Sequence, residues 1–361
     1  MSVGTSRFRG RSGGSVCTGC VGSSGGTMSM DRQAGRQRLS IVIPATEVSG
    51  LEETLVSVLE NRPANCEIIV AHTMRYDDPW NIREEVSFVE PPRGSGLIGC
   101  IHAGAAAATG DVIHVLAAGW KATEGWTEPA LEHFAREGVA AVVPLAVSGA
   151  DRQQPVSAGI RRSIGGRSVP VVPRRTKGGI TTGGLPSAPA LEAGFWRADV
   201  LIDIGFSQAC GEALAAADMA AALAAAKRGV VLEPGSLVVS GPSRRRRSNF
   251  VAGLHAERLF WRSLPCDRVM PALIAHLGEV MRHAAATAPL GTLGMLAGRL
   301  AAVLQVGSCI PRARQLAALM RQAAGNDPRE ETARTYRIET SHEPTARPHI
   351  EPQVPALKKS A

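Results

Sequence analysis

No stretch of about 18 or more apolar residues occurs in this 361-residue chain, so no regular transmembrane helix is expected. The nearest candidate, residues 283–298, holds one proline and three glycines and then meets Arg299. The N-terminus has no apolar h-region, so no secretory leader is expected. Cysteine is sparse: there are seven, with Cys66, Cys100, Cys210, Cys266 and Cys309 scattered, which argues against a disulfide framework and for a reducing, cytoplasmic compartment. Lysine is nearly missing, at five of 40 basic residues, and arginine this dominant beside abundant Ala and Gly is what GC-rich coding produces. Arginine runs therefore carry little information by themselves. What is present is enough apolar material for a core, with 44% hydrophobic and 20% charged residues, so a wholly disordered chain is excluded. The length fits two domains, or one large domain with extensions.

The net charge of +8 is unevenly placed. Residues 1–38 carry +5, residues 39–242 carry −6, residues 243–325 carry +9, and the tail 326–361 is balanced. The largest block is acidic. A protein that tracks phosphate backbones more often carries its basic surface on the folded reader itself, so no nucleic-acid partner is expected.

Residues 1–38 are Gly, Ser and Arg with almost no apolar content, and read as disordered. Cys17 and Cys20 form a lone C-x-x-C without the second pair that a zinc site needs. From residue 39 the pattern changes. LSIVIP at 39–44 and EIIVA at 67–71 are continuous apolar runs, as in strands buried on both faces of a parallel sheet. VSFVE at 86–90, VIHVLA at 112–117 and the run from Val139 to Pro144 extend the series. Between them, Leu51, Leu55, Val58 and Leu59 recur at helical spacing, an Ala-rich helix is expected near 97–109 and a further helix near 127–137. This alternation predicts an α/β fold, a doubly wound and mostly parallel sheet, whose ligands bind at the carboxyl ends of the strands. Residues 151–190 read as a long Gly/Pro/Arg/Thr loop, followed by a helix near 209–228 and a strand at 229–239. Helices are expected at 248–264, 268–285, 292–306 and 311–324, and the tail 326–361 reads as disordered. The expected division is thus 1–38, 39–242, 243–325 and 326–361.

The string LSIVIPA, a helix, EIIV, then GLIGCIHAGAAAATGDVIHVLAAG at 96–119 and GWTEPAL at 125–131, resembles glycosyltransferase family 2. Phe195-Trp196-Arg197, LIDIGF at 201–206, Asp218 and RGVVLEPG at 228–235 continue the likeness over roughly 200 residues. The resemblance implies the A-type glycosyltransferase (nucleotide-diphospho-sugar transferase-like) fold. It also implies inverting transfer of a sugar from a nucleotide-sugar donor to the hydroxyl of a glycan or lipid acceptor. In the family the fourth strand ends in Asp-x-Asp, which holds Mn or Mg against the diphosphate. Here Ala117-Ala118-Gly119 stands in its place. Methyl groups supply no ligand to a hard cation, so no metal or other cofactor is expected. The resemblance places the donor site at Pro44, Ala45, His72, His102, Ala117 and Gly119, and the general base at Asp218, which would open a late helix. The loss of both carboxylates opens the alternative of a catalytically inactive binding or scaffold protein.

Other residues bear weighing. Asp77 and Asp78 precede Pro79 as an ordinary turn does, although they could replace the family's base-contacting Asp. Asp111 matches a structural Gly-Asp, and His102 and His114 lack the further ligands of a metal site. Arg244, Arg245 and Arg247, within the run 244–247, could hold a diphosphate in place of a metal, could meet anionic lipid, or could be a solvated loop. Arg161, Arg162, Arg174 and Arg175 stay open in the same way. The C-terminal helices pair apolar stripes with Arg299, Arg312, Arg314 and Arg321, which fits packing on the sheet domain or peripheral membrane contact through 243–325.

Overall fold

A computed structural model describes residues 37–78, 81–176, 179–242, 248–265 and 268–325. The N-terminal segment with Cys17 and Cys20, the C-terminal tail, and Arg244, Arg245 and Arg247 lie outside the described residues.

The apolar runs become strands and the periodic segments become helices. In chain order these are β1 (Leu39–Ala45), α1 (Leu51–Asn61), β2 (Cys66–His72), β3 (Val86–Val89), α2 (Leu97–Ala107), β4 (Val112–Leu116), β5 (Lys121–Ala122), α3 (Glu128–Glu132) and β6 (Val139–Val147). There follow β7 (Pro155–Ser157), β8 (Ile160–Arg162), β9 (Ser168–Pro170), β10 (Pro173–Thr176), β11 (Gly179–Thr182), β12 (Ala193–Arg197), α4 (Ala198–Asp203), α5 (Gly211–Ala225) and β13 (Gly229–Val239). Four longer helices close the chain: α6 (Asn249–Arg262), α7 (Val269–Thr287), α8 (Thr292–Leu304) and α9 (Ile310–Gly325).

The main sheet has the order β3-β2-β1-β4-β12-β6-β13-β5, with β7 paired to β6. Parallel pairing joins β3, β2, β1 and β4, and joins β6 to β13. Strand β12 runs antiparallel to both β4 and β6. The expected alternation is therefore met up to β4, but the next neighbour of β4 comes from residues 193–197, a stretch not read as a strand. The expected long loop 151–190 also folds locally, with β8–β9 and β10–β11 forming two-stranded hairpins.

Burial follows from the pleat, which sends successive side chains to opposite faces. Ile41 and Ile43 join Leu51, Leu55 and Val58 of α1 with Trp126 and Phe134 on one face. Val42 points the other way, into a cluster with Leu97, Ile98 and Ile101 of α2 and Met219 and Leu223 of α5. Each such side chain contributes roughly 1.5–3 kcal/mol when fully buried. Gly104 lets α2 sit down on β1, since a Cβ there would lie 2.3 Å from Val42 Cγ1.

His114, at the centre of β4, is wholly buried and stacks on Phe195 with ring centroids 3.8 Å apart. Its Nδ1 meets the carbonyl of Gly194 at 3.2 Å, while Nε2 is buried without a hydrogen-bond partner among the described residues. Burial pushes its pKa down to about 3. The folded protein therefore keeps this ring neutral, while the unfolded chain takes up a proton below about pH 6.5. Stability from this residue is complete above that pH and declines by about 1.4 kcal/mol per pH unit as the pH falls toward 3. Denaturant titrations of wild type and His114→Leu between pH 7 and 4 should show a flatter acid limb in the variant. An unchanged limb would contradict the assignment.

The C-terminal helices pack onto α5 and onto one another. Two glycines permit the tight α6–α8 contact: a Cβ at Gly253 would fall 2.1 Å from the Met295 carbonyl, and one at Gly298 2.0 Å from that of Phe250. The outer faces stay apolar. On α7, Met270, Ile274, Leu277 and Met281 are exposed, as are Leu293 and Leu300 on α8. Among the described residues no single helix is long and apolar enough to cross a membrane, although α8 and the helical residues after it form a bent pair of that composition.

Candidate functional site

In a parallel sheet the loops after β1, β2, β3 and β4 gather at one edge, and α1 and α2 begin there. The turn that follows β4 is the centre of this corner. Its backbone is fully engaged. Ala117 N–H donates to Glu192 O at 2.7 Å, Ala118 N–H to Pro44 O at 3.1 Å, and Trp120 N–H to Ala117 O at 2.9 Å. Gly119 N–H meets Gly50 O at 3.1 Å and Thr54 Oγ1 at 2.9 Å, while the Thr54 hydroxyl donates to Trp120 O at 2.7 Å. All four N–H groups of 117–120 are thus spent within the protein, leaving none to cradle a phosphate.

Space is used as fully as hydrogen bonds. Gly50, the N-cap of α1 with φ 80°, lies so close that its Cβ would be 2.7 Å from Gly119 Cα. Gly119 itself has φ 91°, and a Cβ there would meet Pro242 Cδ at 3.0 Å. The corner is a junction of three backbone segments. Divalent Mn or Mg needs oxygen donors, commonly carboxylates. Ala117 and Gly119 bring none, and among the described residues no group of three or more His, Cys, Asp and Glu could hold a metal ion. The residues present do not fit the family's cation.

The remaining donor-site residues divide. Pro44 and Ala45 tie strand ends together through their carbonyls, Ala45 O accepting from Thr73 N–H at 3.2 Å. His72 ends β2, buried, with Nδ1 at 2.7 Å from Met74 O and its ring edge-on to Phe88. Tyr76 stacks on the same Phe88 at 5.6 Å, and its hydroxyl oxygen is buried without a hydrogen-bond partner among the described residues. Burial, with Glu52 and Asp78 nearby, raises the Tyr76 pKa and keeps the phenol protonated. Sequence reasoning missed this aromatic group, although Tyr76 and Phe88 flank the expected donor edge. His102 does not face it: its Nε2 accepts Phe206 N–H at 3.1 Å and anchors the loop after α4 to α2. Asp78 is the turn residue it was read as, with φ 48° and Oδ1 accepting Ile82 N–H at 3.1 Å, and Asp77 pairs with Arg75 on the surface. Asp111 opens β4 by accepting Arg38 N–H at 3.1 Å.

Asp218 requires a correction. It was expected to open the late helix, but α5 begins at Gly211 and places it two turns inside, 1% exposed. Its carboxylate faces the C-terminal helices, with Oδ1 at 3.3 Å from Arg262 Nε and Oδ2 at 2.6 Å from Arg312 Nη2. An acceptor hydroxyl must come within about 3 Å of a general base, and two guanidiniums hold that position here. The carboxylate that does open α5 is Glu212. Its Oε1 accepts Leu97 N–H at 2.8 Å, capping the N-terminus of α2 at the strand-end edge. Its sequence signal is Gly211-Glu212 ahead of the alanine run.

The loop arginines also separate. Arg162 donates from Nη2 to Ser263 O and Oγ, both at 2.7 Å, and Arg161 to Gly183 O at 3.0 Å, so both serve the fold. Arg174 and Arg175 lie exposed on β10. Arg312 is the ion-pair partner of Asp218, and Arg299 pairs with Glu257.

The sheet, with β12 inserted antiparallel between β4 and β6, is a mixed, mostly parallel α/β sheet flanked by helices, and a helical C-terminal region follows it. Residues 40–184 match the family model for glycosyl transferase family 2. Among solved structures, the chain is similar to the mannosyltransferase PcManGT from Pyrobaculum calidifontis, in complex with GDP-Man and Mn2+, at 15% identity and TM-score 0.49, over 81% of this chain and 87% of that one. It is also similar to GalNAc-T7 with UDP, GalNAc and Mn2+, at 16% identity and TM-score 0.48, over 69% of this chain and 55% of that one. A search of curated proteins found no match.

Proposed function

We propose that this glycosyltransferase-like chain engages a nucleotide-sugar donor without a divalent cation, and transfers the sugar with Glu212 as the general base. The observation carrying the first half is the turn after β4, which lacks carboxylates and has its space and N–H groups taken. For the nucleoside end, the aromatic group of His72, Tyr76 and Phe88 at the ends of β2 and β3 offers ring faces and edges to stack against a base. Glu212 supports the second half, being a carboxylate held against the N-terminus of α2, at the edge where the strands end.

A second reading, a binding or scaffold protein without turnover, is favoured by the locked state of Asp218. Calorimetry with a panel of sugar nucleotides, each with Mn2+ and with EDTA, tests the common part. Binding of equal strength in both conditions is expected, and no binding in either would overturn the donor reading. Glu212→Gln keeps an oxygen for Leu97 N–H and removes the base. Transfer by the wild type should fall at least about 100-fold in this variant, with donor affinity unchanged. Donor binding without transfer by the wild type would leave the second reading standing.

A further inference from the structure

A cluster of charged side chains apart from the donor corner lines a cavity of about 690 Å³ between the β8–β9 turn and helices α5 to α8. Its walls include Arg167, Arg282, Arg299, His276, His283 and Glu279. None of these residues belongs to the turn after β4 or to the aromatic group at β2 and β3.

The cavity has an excess of positive charge. Arg299, 6% exposed, pairs with Glu257 at 2.6 Å through Nη1, and its Nε meets only the Met295 thioether at 3.2 Å, a poor acceptor. Arg282 binds Glu279 through Nε at 2.7 Å, and Arg167 approaches the same carboxylate at 3.9 Å. Three guanidiniums therefore share two carboxylates. His276 lines the same wall: Nδ1 lies 3.0 Å from the Gly165 carbonyl and Nε2 3.1 and 3.2 Å from the two Glu257 oxygens. It lies flat on Phe260, with centroids 3.7 Å apart. His283 Nδ1 receives Arg299 Nη2 at 3.2 Å, which leaves its proton on Nε2. Burial and the flanking Arg299 and Arg282 lower the His283 pKa, in keeping with a neutral ring.

We infer that this cavity is a binding site for a phosphoryl group, held by the arginines of α7, α8 and the β8–β9 turn. Planar guanidinium donors match phosphate oxygens in pairs, and an anion answers the surplus positive charge that the two carboxylates leave. The wall is closely packed, because Gly253 and Gly298 let the backbones of α6 and α8 approach each other. The helix that supplies Arg282 and His283 turns an exposed apolar stripe, Met270, Ile274, Leu277 and Met281, to solvent. The phosphoryl group can thus belong to a soluble ligand or to a lipid headgroup whose chains follow that stripe.

The test uses the full chain and Arg167→Gln with Arg282→Gln, two partly exposed residues outside the buried Glu257 pair. Inorganic pyrophosphate is titrated by calorimetry, and phosphatidylcholine vesicles with and without phosphatidic acid are co-sedimented. Pyrophosphate binding that weakens at least tenfold in the double variant, with unchanged thermal unfolding, supports a soluble ligand. Sedimentation that needs phosphatidic acid and is lost in the variant supports a lipid headgroup. Neither form of binding by the wild type, or binding that the variant leaves untouched, overturns the inference. Because the variant spares the donor corner, sugar-nucleotide binding should survive it whatever the outcome here.

Discussion

Asp218→Asn is expected to destabilise the fold by about 3–5 kcal/mol, the cost of removing one partner of a buried ion pair. The carboxylate is 1% exposed and is the charge partner of both Arg262 and Arg312. The two guanidiniums are held from other sides as well, Arg262 by Ser207 Oγ at 2.7 Å and Arg312 by Gln315 Oε1 at 2.7 Å. They cannot swing out to water when the carboxylate is neutralised, so two buried cations would be left facing an amide. Arg162 feels the same centre, since burial lowers its pKa and the Asp218 charge opposes that shift. Burial and the Asp218 charge also push the Cys210 thiol up to about 12, so it stays protonated and adds no negative charge. The consequence is structural: this one carboxylate fastens α6 and α9 to α5. Urea unfolding followed by circular dichroism should show a lower midpoint with the same slope. A variant of wild-type stability that had lost sugar transfer would instead restore Asp218 as the catalytic base.

The misplacement of Asp218 shows where sequence reading ends. Strands β1, β2, β4 and β6 were legible because burial on both faces demands unbroken apolar runs such as LSIVIP. Strand β13 was found with its bounds. In α5, expected near 209–228, the residues are GEALAAADMAAALAA, and alanine on every side gives no phase, so the face carrying Asp218 cannot be read. Its partners lie 44 and 94 residues further on, beyond the reach of any local pattern. Strand β12 fails for a related reason. Five residues, AGFWR, are too few for a period, and their antiparallel place between β4 and β6 is set by those neighbours. The missing Asp-x-Asp was plain in the sequence. That the vacated volume is filled by Gly50 and Pro242 was not, since those residues lie about 70 and 120 positions from Gly119 only along the chain and meet it only in space.

Restoring the family's carboxylates should therefore fail to restore a metal site. In Ala117→Asp with Gly119→Asp, the first new side chain enters a position 4% exposed, where an unpaired carboxylate costs several kcal/mol or protonates. The second must adopt φ near 91° with its Cβ 3.0 Å from Pro242 Cδ. Strain at a sparsely populated φ costs about 1–3 kcal/mol before the contact is counted. Either the backbone junction opens, which breaks the hydrogen bonds to Pro44, Gly50 and Thr54, or the carboxylates point away from a common centre. The double variant is expected to melt several degrees below wild type and to show no Mn2+ binding by electron paramagnetic resonance at millimolar metal. A variant that melted like the wild type and held one Mn2+ per chain would mean that the corner retains room for a cation. The contact of Gly50 and Pro242 with the turn would then be a closed state of a working metal site.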